Sequence, residues 1–322
     1  MVSQIDFFSE HSAPQCEELT PAEQWDHDAA RRVLDELFTL AKTFNSSKVY
    51  LELMEFVARF RLYSPFNAML IYTQMPGARF VATPRRWRRE FYREIKAGAR
   101  PIVILQPKGP VLFVFDISDT EQIPGAPSVP EHALNPFHIY RGQVGNKLER
   151  TIENAKRDGI RVSEADHGSQ RAGSIQCASG RQFLELISPE SNLRFRRVQL
   201  WYELLLNSSL SPESKYATLV HELGHLYCGH LGTPHEKWWP DRRGLPIEVC
   251  EFEAESISYL VCTRLGLETA SAEYLAGYVR KYESTPPISL DRVMKSSWLI
   301  ERMGKDKLSL RKDDSNELAS TV

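Results

Sequence analysis

Apolar residues recur every three to four positions along several stretches of the chain, and this period is typical of amphipathic helices. It predicts helices at residues 21–44, 49–61, 65–74, 145–157, 271–282 and 289–303. Pro76 and Gly77 end the third of these helices. Residues 1–20 and 305–322 lack the period, so we expect a disordered N-terminus and a polar tail there.

Shorter apolar runs predict strands. Residues 102–105 and 111–115 flank a segment rich in proline and glycine, which indicates a hairpin, and further strands are predicted at residues 173–178, 182–187 and 199–206. Prolines are frequent between Gln122 and Pro136 and predict a linker over residues 122–137. A chain of 322 residues has room for two folded units, which we expect at residues 21–121 and 138–304. Helices mixed with short strands make the predicted fold class α+β.

The segment that begins at Ser211 carries the strongest chemical signal. Ser211 is a suitable N-cap, and Pro212 follows it at the first helical position. Apolar residues continue the helical period beyond residue 221, so His221 and His225 lie four residues apart on one face of a helix. Two imidazoles in this arrangement can hold one ion, and zinc is the expected one. Glu222 between them is the candidate general base of a zincin metallopeptidase.

A catalytic zinc ion takes a third protein ligand and keeps one position open. Cys228 and Leu231 exclude the metzincin pattern, which has glycine and histidine at these two positions. A glutamate from the helix predicted at residues 246–265 is the remaining common choice. Glu253 lies on the apolar stripe of that helix and is the predicted ligand, because a buried carboxylate needs a partner. Glu251 projects more to the side and is the reserve candidate.

Two further parts of the site are less defined by the sequence. The strand predicted at residues 199–206 directly precedes the metal helix, and in zincins an edge strand at this place pairs with an extended peptide. We therefore expect it to be the substrate cradle. The residue that stabilises the oxyanion stays open between His230, His235 and Tyr259.

The motif at residues 221–225 and the run Glu-Phe-Glu-Ala-Glu-Ser at residues 251–256 resemble a known family. Both are similar to the C-terminal metallopeptidase domain of ArdC-type antirestriction proteins, which are related to the ImmA/IrrE peptidases. Upstream, the run Phe-Arg-Leu-Tyr-Ser-Pro-Phe-Asn at residues 60–67 and Trp87 resemble the single-stranded-DNA-binding N-terminal domain of the same family.

The resemblance covers most of residues 48–120 and 200–300. It departs from the family pattern at residues 97–100, where Ala-Gly-Ala-Arg replaces Gly-Glu-Lys-Gly, and at Pro65. For the fold, it implies an N-terminal helix and hairpin unit that binds single-stranded DNA. A gluzincin-type metallopeptidase domain with a small antiparallel sheet is expected to follow.

The function implied by the resemblance is that of an antirestriction protein that binds single-stranded DNA and hydrolyses peptide bonds in an unknown protein partner. The alternative is a protein that coats and protects single-stranded DNA without proteolysis, with a structural zinc site. The residues that the resemblance implies for DNA contact are Arg85, Arg86, Trp87, Arg88, Arg89, Arg93 and Lys96. By themselves, these residues also fit a packed tryptophan beneath a solvated basic helix face.

Charge and cysteine content add two expectations. Residues 48–108 hold 12 Lys/Arg and 4 Asp/Glu, although the formal net charge of the chain is −2, so positive charge is concentrated in the part expected to bind DNA. The five cysteines are unpaired in spacing, and no apolar run approaches the length of a membrane helix. We therefore expect a protein of the reducing cytoplasm, without disulfides or membrane spans.

Overall fold

A computed structural model describes residues 46–106, 109–127, 142–166, 172–187 and 195–311 of the chain. The helix predicted at residues 21–44, the segment 1–20 that was predicted to be disordered and most of the predicted linker lie outside these residues. The region begins with helix α1 (Ser47–Arg59) and helix α2 (Pro65–Gln74), close to the predicted bounds. The Ser64 hydroxyl caps α2 by accepting a hydrogen bond from the backbone N–H of Asn67.

The remaining N-terminal elements form two small sheets around a short helix. Strands β3 (Ile102–Gln106) and β4 (Gly109–Asp116) pair antiparallel, which confirms the predicted hairpin. The other elements are β1 (Val81–Ala82), α3 (Pro84–Glu90), β2 (Arg93–Ile95) and β5 (Thr120–Gln122). Strand β1 pairs with β4, and β2 pairs with β5, both antiparallel.

The C-terminal elements begin with α4 (Lys147–Arg157) and include five strands. These are β6 (Ile160–Ala165), β7 (Gly173–Cys177), β8 (Phe183–Ile187), β9 (Phe195–Gln199) and β10 (Tyr202–Asn207). Strands β8 and β9 form a separate antiparallel pair. The other sheet has the order β6-β10-β7, in which β10 runs parallel to β6 and antiparallel to β7.

Two strand predictions were therefore wrong. The sheet next to the metal helix is mixed, whereas an antiparallel sheet was expected. Strand β10, predicted as the edge strand at residues 199–206, is the central strand, so both of its edges are already paired. Within the described part of the chain, β6 and β7 are the two edge strands of this sheet. Strand pairing depends on distant partners, and local apolar patterns do not encode it.

Four helices complete the fold: α5 (Pro212–Tyr227), α6 (Ile247–Leu265), α7 (Ala270–Lys281) and α8 (Leu290–Lys305). The predicted cap of α5 is confirmed, because the Ser211 hydroxyl accepts a hydrogen bond from the backbone N–H of Ser214. Gly266 ends α6 with φ 89°, which is left-handed and favours glycine. In the described residues, no helix combines the length and hydropathy of a membrane span. The cytoplasmic location stays a prediction.

One hydrophobic core extends across the predicted boundary between the two units. Buried residues of α1 and α2, such as Leu53 and Leu70, belong to the same cluster as Leu223 of α5 and Met294 of α8. Tyr50 of α1 donates a hydrogen bond to the Ser256 hydroxyl of α6. The predicted domain limits remain a prediction, but α1 and α2 pack as integral parts of the C-terminal core.

Arg264 joins α6 to the N-terminal helices. Its guanidinium is buried and donates hydrogen bonds to the carbonyl oxygens of Val57, Phe60 and Tyr63 at the end of α1, and it pairs with Glu301 of α8. Val57 lies in the last turn of α1, where carbonyl oxygens lack an intrahelical N–H partner. One cation therefore satisfies the end of α1 and neutralises a carboxylate of α8.

We predict that Arg264→Ala lowers the free energy of unfolding by about 3–5 kcal/mol, because Glu301 and the three carbonyls lose a buried partner. Urea unfolding followed by circular dichroism measures this loss. Arg302→Ala is the control, since Arg302 pairs with Asp306 at an exposed position and should cost less than about 1 kcal/mol. Similar losses in the two variants would contradict the role given to Arg264.

Candidate functional site

Helices α5 and α6 bring two histidines and one carboxylate together. The Nε2 atoms of His221 and His225 lie 3.1 Å apart. The carboxylate of Glu251 lies 3.6 Å from Nε2 of His221 and 3.5 Å from Nε2 of His225. Four-coordinate zinc with bonds of 2.0–2.1 Å places neighbouring donors roughly 3.3 Å apart. The two Nε2 atoms and the Glu251 carboxylate, which faces His221 with Oε2 and His225 with Oε1, therefore have separations close to those that a single zinc ion requires.

The other ring nitrogen of each histidine faces a separate partner. Nδ1 of His221 lies 3.6 Å from Oε1 of Glu255, and Nδ1 of His225 lies 3.0 Å from Nδ1 of His230. Histidines that bind metals usually have a hydrogen-bond partner at the nitrogen that is not coordinated. Both rings therefore direct Nε2 toward Glu251 while their Nδ1 atoms are engaged elsewhere.

Glu253, the predicted third ligand, lies outside this group. Its side chain is fully buried, and its oxygens lie 2.7 Å from Nη1 and Nη2 of Arg242. Nε2 of His230 and the backbone N–H of Ser289 are also within hydrogen-bond distance of it. The prediction of Glu253 as the ligand is corrected: Glu251, the reserve candidate, occupies the position beside the two imidazoles.

The position of Glu251 next to the histidines follows from how α5 and α6 cross. A Cβ at Gly224 would lie 3.3 Å from Cα of Ala254, so the two helices touch there. Glu251 lies three residues before Ala254, on the same face of α6 and next to the histidines of α5. The apolar stripe of α6 indicated which side chains are buried. It did not indicate which of several neighbouring elements each buried side chain meets.

The site's charges suit a cation. Burial would lower the pKa of His221, but the hydrogen bond with Glu251 and the charge of Glu255 raise it above its usual value. Burial and the neighbouring His221 lower the pKa of His225 to about 4, so that ring is neutral near pH 7. The hydrogen bond with His221 lowers the pKa of Glu251. A neutral imidazole and an ionised carboxylate are the forms that bind metals.

Glu222 lies beside this group, half-buried, and its charge acts on His221. The three candidates for oxyanion stabilisation make other contacts. His230 faces His225 and Glu253, the ring of His235 stacks on Trp238, and the electrostatic neighbours of Tyr259 are Glu55 and Arg59. Sequence reasoning missed Tyr274 of α7, which is 37% exposed and has Glu255 and Glu251 as electrostatic neighbours.

The residues expected to contact DNA divide into three groups. Trp87 is fully buried, and its indole N–H donates a hydrogen bond to the carbonyl of Phe115. The prediction of Trp87 as a DNA contact is therefore corrected: its ring packs against Phe80 in a small core around α3. Arg93 is half-buried and binds the side chain and carbonyl of Thr120, where it holds β2 against β5.

Arg86 is half-buried and pairs with Glu90. The four remaining cations are exposed: Arg85, Arg88, Arg89 and Lys96. Arg88 pairs with Glu94, and Lys96 donates a hydrogen bond to the carbonyl of Ser118. Among the residues described, this surface is where the exposed members of the predicted DNA-binding set lie.

Comparisons with known proteins agree with the C-terminal assignment. Residues 155–276 match the model of the IrrE N-terminal-like domain, a member of the Peptidase_M78 family. The matched segment contains the two histidines of α5 and Glu251 of α6. This part of the chain is therefore similar to a metallopeptidase-type domain, and its mixture of helices and a small sheet agrees with the predicted α+β fold. The family model does not extend to residues 46–127.

One relative is an uncharacterized protein of Bacillus anthracis, which is 25% identical to this chain over 300 residues. The alignment covers 79% of this chain and 47% of the relative, so the chain spans about half the length of that protein. No solved structure gives a significant match.

The environment of Glu253 should make the stability of the fold depend on pH. Burial would raise its pKa, but hydrogen bonds from His230 and Arg242 outweigh burial and lower the pKa from 4.5 to about 2. A carboxyl group whose pKa is lower in the folded state stabilises the fold above the unfolded pKa. We expect this stabilisation to be complete above pH 4.5 and to disappear as the pH falls toward 2.

The measurement is the free energy of unfolding between pH 6 and pH 2. We expect Glu253→Gln to be less stable at pH 6 and to lose less stability than the wild type on acidification. Glu248→Gln, at an exposed position of the same helix, should keep the pH dependence of the wild type. Parallel curves for wild type and Glu253→Gln would exclude a depressed pKa at Glu253.

Proposed function

We propose that the C-terminal part of this chain is a zinc-dependent metallopeptidase with His221, His225 and Glu251 as the metal ligands. The observation that carries the proposal is the convergence of two Nε2 atoms and one carboxylate at the separations that tetrahedral zinc requires. Two histidines and a glutamate are a ligand set of catalytic zinc sites. The match of residues 155–276 to a peptidase family supports the same conclusion.

Accessibility favours a catalytic site over a structural one. The side chain of Glu251 is 39% exposed and that of His221 is 20% exposed, so the group is open to solvent. Structural zinc sites are usually closed by four protein ligands. The group formed by His221, His225 and Glu251 supplies three protein ligands, which leaves one position of a four-coordinate ion for a reactant.

Zinc bound at this group would supply a Lewis acid that lowers the pKa of water toward about 7 and polarises a peptide carbonyl. Glu222 is the general base: it accepts a proton as the water oxygen forms a bond to the carbonyl carbon. Glu222 then donates that proton to the amide nitrogen as the carbon–nitrogen bond breaks. One water is consumed, and a carboxylic acid and an amine are released. Tyr274 is a candidate donor to the oxyanion, because it is exposed and interacts electrostatically with Glu251 and Glu255.

Strand β7 is the candidate substrate cradle in place of β10. Its residue Gly173 packs against Thr218 of α5, since a Cβ at this glycine would lie 2.5 Å from Cγ2 of Thr218. Within the described residues, β7 pairs with β10 on one edge and has no strand partner on the other. An extended segment of a protein partner can add to an open strand edge by backbone hydrogen bonds. The proposed substrate is therefore an extended or locally unfolded protein segment.

We predict that Glu222→Gln keeps zinc but loses about 10²–10⁴-fold in hydrolysis, because general base catalysis has about this magnitude. Zinc content is measured by mass spectrometry, and hydrolysis is measured on casein and on a quenched-fluorescent peptide library. Glu213→Gln, in the first turn of the same helix, is the matched control and should hydrolyse as the wild type does. Wild-type rates in purified Glu222→Gln protein would refute the role of Glu222.

The same variant separates the two functional hypotheses in cells. If proteolysis underlies antirestriction, Glu222→Gln should lose protection of incoming DNA. If the chain coats single-stranded DNA without proteolysis, Glu222→Gln should protect as well as the wild type. Loss of protection only in Arg88→Glu/Arg89→Glu would then favour the coating function.

Single-stranded DNA binding by the N-terminal part is a second proposal, supported by the surface around Tyr92. Tyr92 has φ 52°, and within the described residues it is the non-glycine residue with a left-handed backbone. This conformation costs an L-amino acid about 1–2 kcal/mol, and glycine is the usual residue at such a position after a helix. The ring is 48% exposed and follows Arg88 and Arg89 at the end of α3. Exposed rings beside cations stack on bases and neutralise phosphates.

We predict that Tyr92→Gly keeps or raises stability, because glycine relieves the left-handed backbone, and weakens binding of oligothymidine roughly 5- to 100-fold through loss of one stacked base. Fluorescence anisotropy at fixed salt measures binding, and thermal melting measures stability. Tyr282→Gly is the control, since Tyr282 is similarly exposed but lies on the C-terminal part of the chain. Equal affinity of Tyr92→Gly and wild type would contradict the stacking role.

A further inference from the structure

A chain of buried polar groups extends from the proposed metal ligand His225 into the protein. Nδ1 of His225 lies 3.0 Å from Nδ1 of His230, and Nε2 of His230 lies 2.9 Å from Oε2 of Glu253. Arg242 binds Glu253 through both terminal nitrogens at 2.7 Å. The side chain of His230 is 5% exposed and that of Glu253 is fully buried. The proposed hydrolysis uses neither His230, Glu253 nor Arg242 directly.

The local sequence delivers Arg242 to this position. Gly229 ends α5 with φ 87°, and a Cβ at this residue would lie 2.1 Å from the carbonyl oxygen of Pro240. The chain therefore turns sharply after α5 and returns over Gly229, whose carbonyl accepts a hydrogen bond from the backbone N–H of Arg242. From there, the guanidinium also reaches the carbonyl of Cys228. The loop is thus fixed at both its backbone and its side chain.

Hydrogen-bond roles along the chain follow from Glu253. An ionised carboxylate only accepts hydrogen bonds, so Nε2 of His230 carries the proton that faces Glu253. In the neutral imidazole form with its proton at Nε2, the ring of His230 has a lone pair at Nδ1 that accepts a hydrogen bond from Nδ1 of His225. His225 with its proton at Nδ1 has its lone pair at Nε2, the atom that faces His221 and Glu251. The opposite tautomer of His225 would place a hydrogen where the metal must bind.

We propose that His230, held by Glu253 and Arg242, is a positioning residue that fixes the tautomer and ring orientation of His225 for metal binding. The inference rests on the proposed metal site and deepens it. The partner of His225 is buried and 3.0 Å away, whereas Nδ1 of His221 faces the Glu255 carboxylate at the longer distance of 3.6 Å. His225 is therefore the ligand whose orientation the protein determines more firmly before metal binds.

A second metal site is the competing explanation for this cluster of polar residues, because Cys228, His230 and Glu253 also have donor atoms close together. The guanidinium of Arg242 argues against it, since it already provides the cation and engages both oxygens of Glu253. Burial and the nearby charge of Glu253 raise the pKa of the Cys228 thiol, so the thiolate that a metal requires is disfavoured. The hydrogen-bonded series His230, Glu253 and Arg242 therefore supports the site formed by His221, His225 and Glu251.

The first test is the tautomer itself. Long-range proton–nitrogen NMR spectra of the full-length, metal-free protein, labelled with ¹⁵N-histidine and measured at one fixed pH, report which ring nitrogen carries the proton. We expect the proton at Nδ1 in His225 and at Nε2 in His230. A proton at Nε2 of His225 would overturn the proposal, and this measurement needs neither a variant nor peptidase activity.

The second test compares two substitutions of His230. His230→Phe keeps a ring of similar size but removes both nitrogens, and we expect a roughly 10- to 100-fold loss of zinc affinity in competition with a chromophoric chelator. His230→Gln retains a donor for Glu253 and an acceptor for His225, so it should recover most of the affinity. His235→Phe is the matched control and should bind zinc as the wild type does.

Stability and cobalt spectra separate positioning from a structural role. Thermal melting of the metal-free variants measures any general damage, and the visible spectrum of the cobalt-substituted proteins reports coordination geometry. Wild-type zinc affinity in His230→Phe, or no recovery in a stably folded His230→Gln, would overturn the positioning role. If the wild type binds no zinc, the proposed peptidase function fails, while the tautomer measurement still decides whether the hydrogen-bond chain sets His225.

Discussion

The close contact between α5 and α6 at Gly224 is the constraint on which the rest of the site depends. Gly224 lies between the two histidines of the motif, and Ala254 opposite it is also a small residue. Larger side chains would hold the helix axes apart, and the carboxylate of Glu251 would no longer reach both imidazoles. The helix contact and the metal-ligand group therefore depend on each other. The small residues allow a short distance between α5 and α6, and this distance brings Glu251 next to His221 and His225.

Around this contact, the carboxylates of α6 have different roles because they project in different directions. Glu251 faces the open side with the imidazoles, and Glu255 follows it one turn later beside His221. Glu253 points into the protein and is neutralised by Arg242. An unpaired buried carboxylate would be costly, so the loop that carries Arg242 is a requirement of the fold as well as a support for His225.

Much of this arrangement was predictable from local sequence, and the parts that were not share a physical reason. The cap at Ser211, the glycine that ends α6, the hairpin at residues 102–116 and the pairing of His221 with His225 all depend on neighbours within a few residues. The third ligand, the central position of β10 and the burial of Trp87 depend on contacts between distant segments. Amphipathic spacing predicts that Glu253 is buried. The salt bridge with Arg242, in a loop eleven residues earlier, leaves no periodic pattern in the sequence.

The contacts of Arg264 limit where the chain can be truncated without loss of buried interactions. Helix α6 has Glu251 near its start and Arg264 near its end, and the second of these caps the first helix of the N-terminal part. A truncated chain beginning at residue 138 would lack α1 and α2. The face of α6 that carries Ser256 would then be exposed to solvent, and the buried guanidinium of Arg264 would lose its carbonyl partners. A change of the N-terminal part would therefore have to preserve the contacts of Arg264 and Tyr50, because both residues join the two parts of the chain.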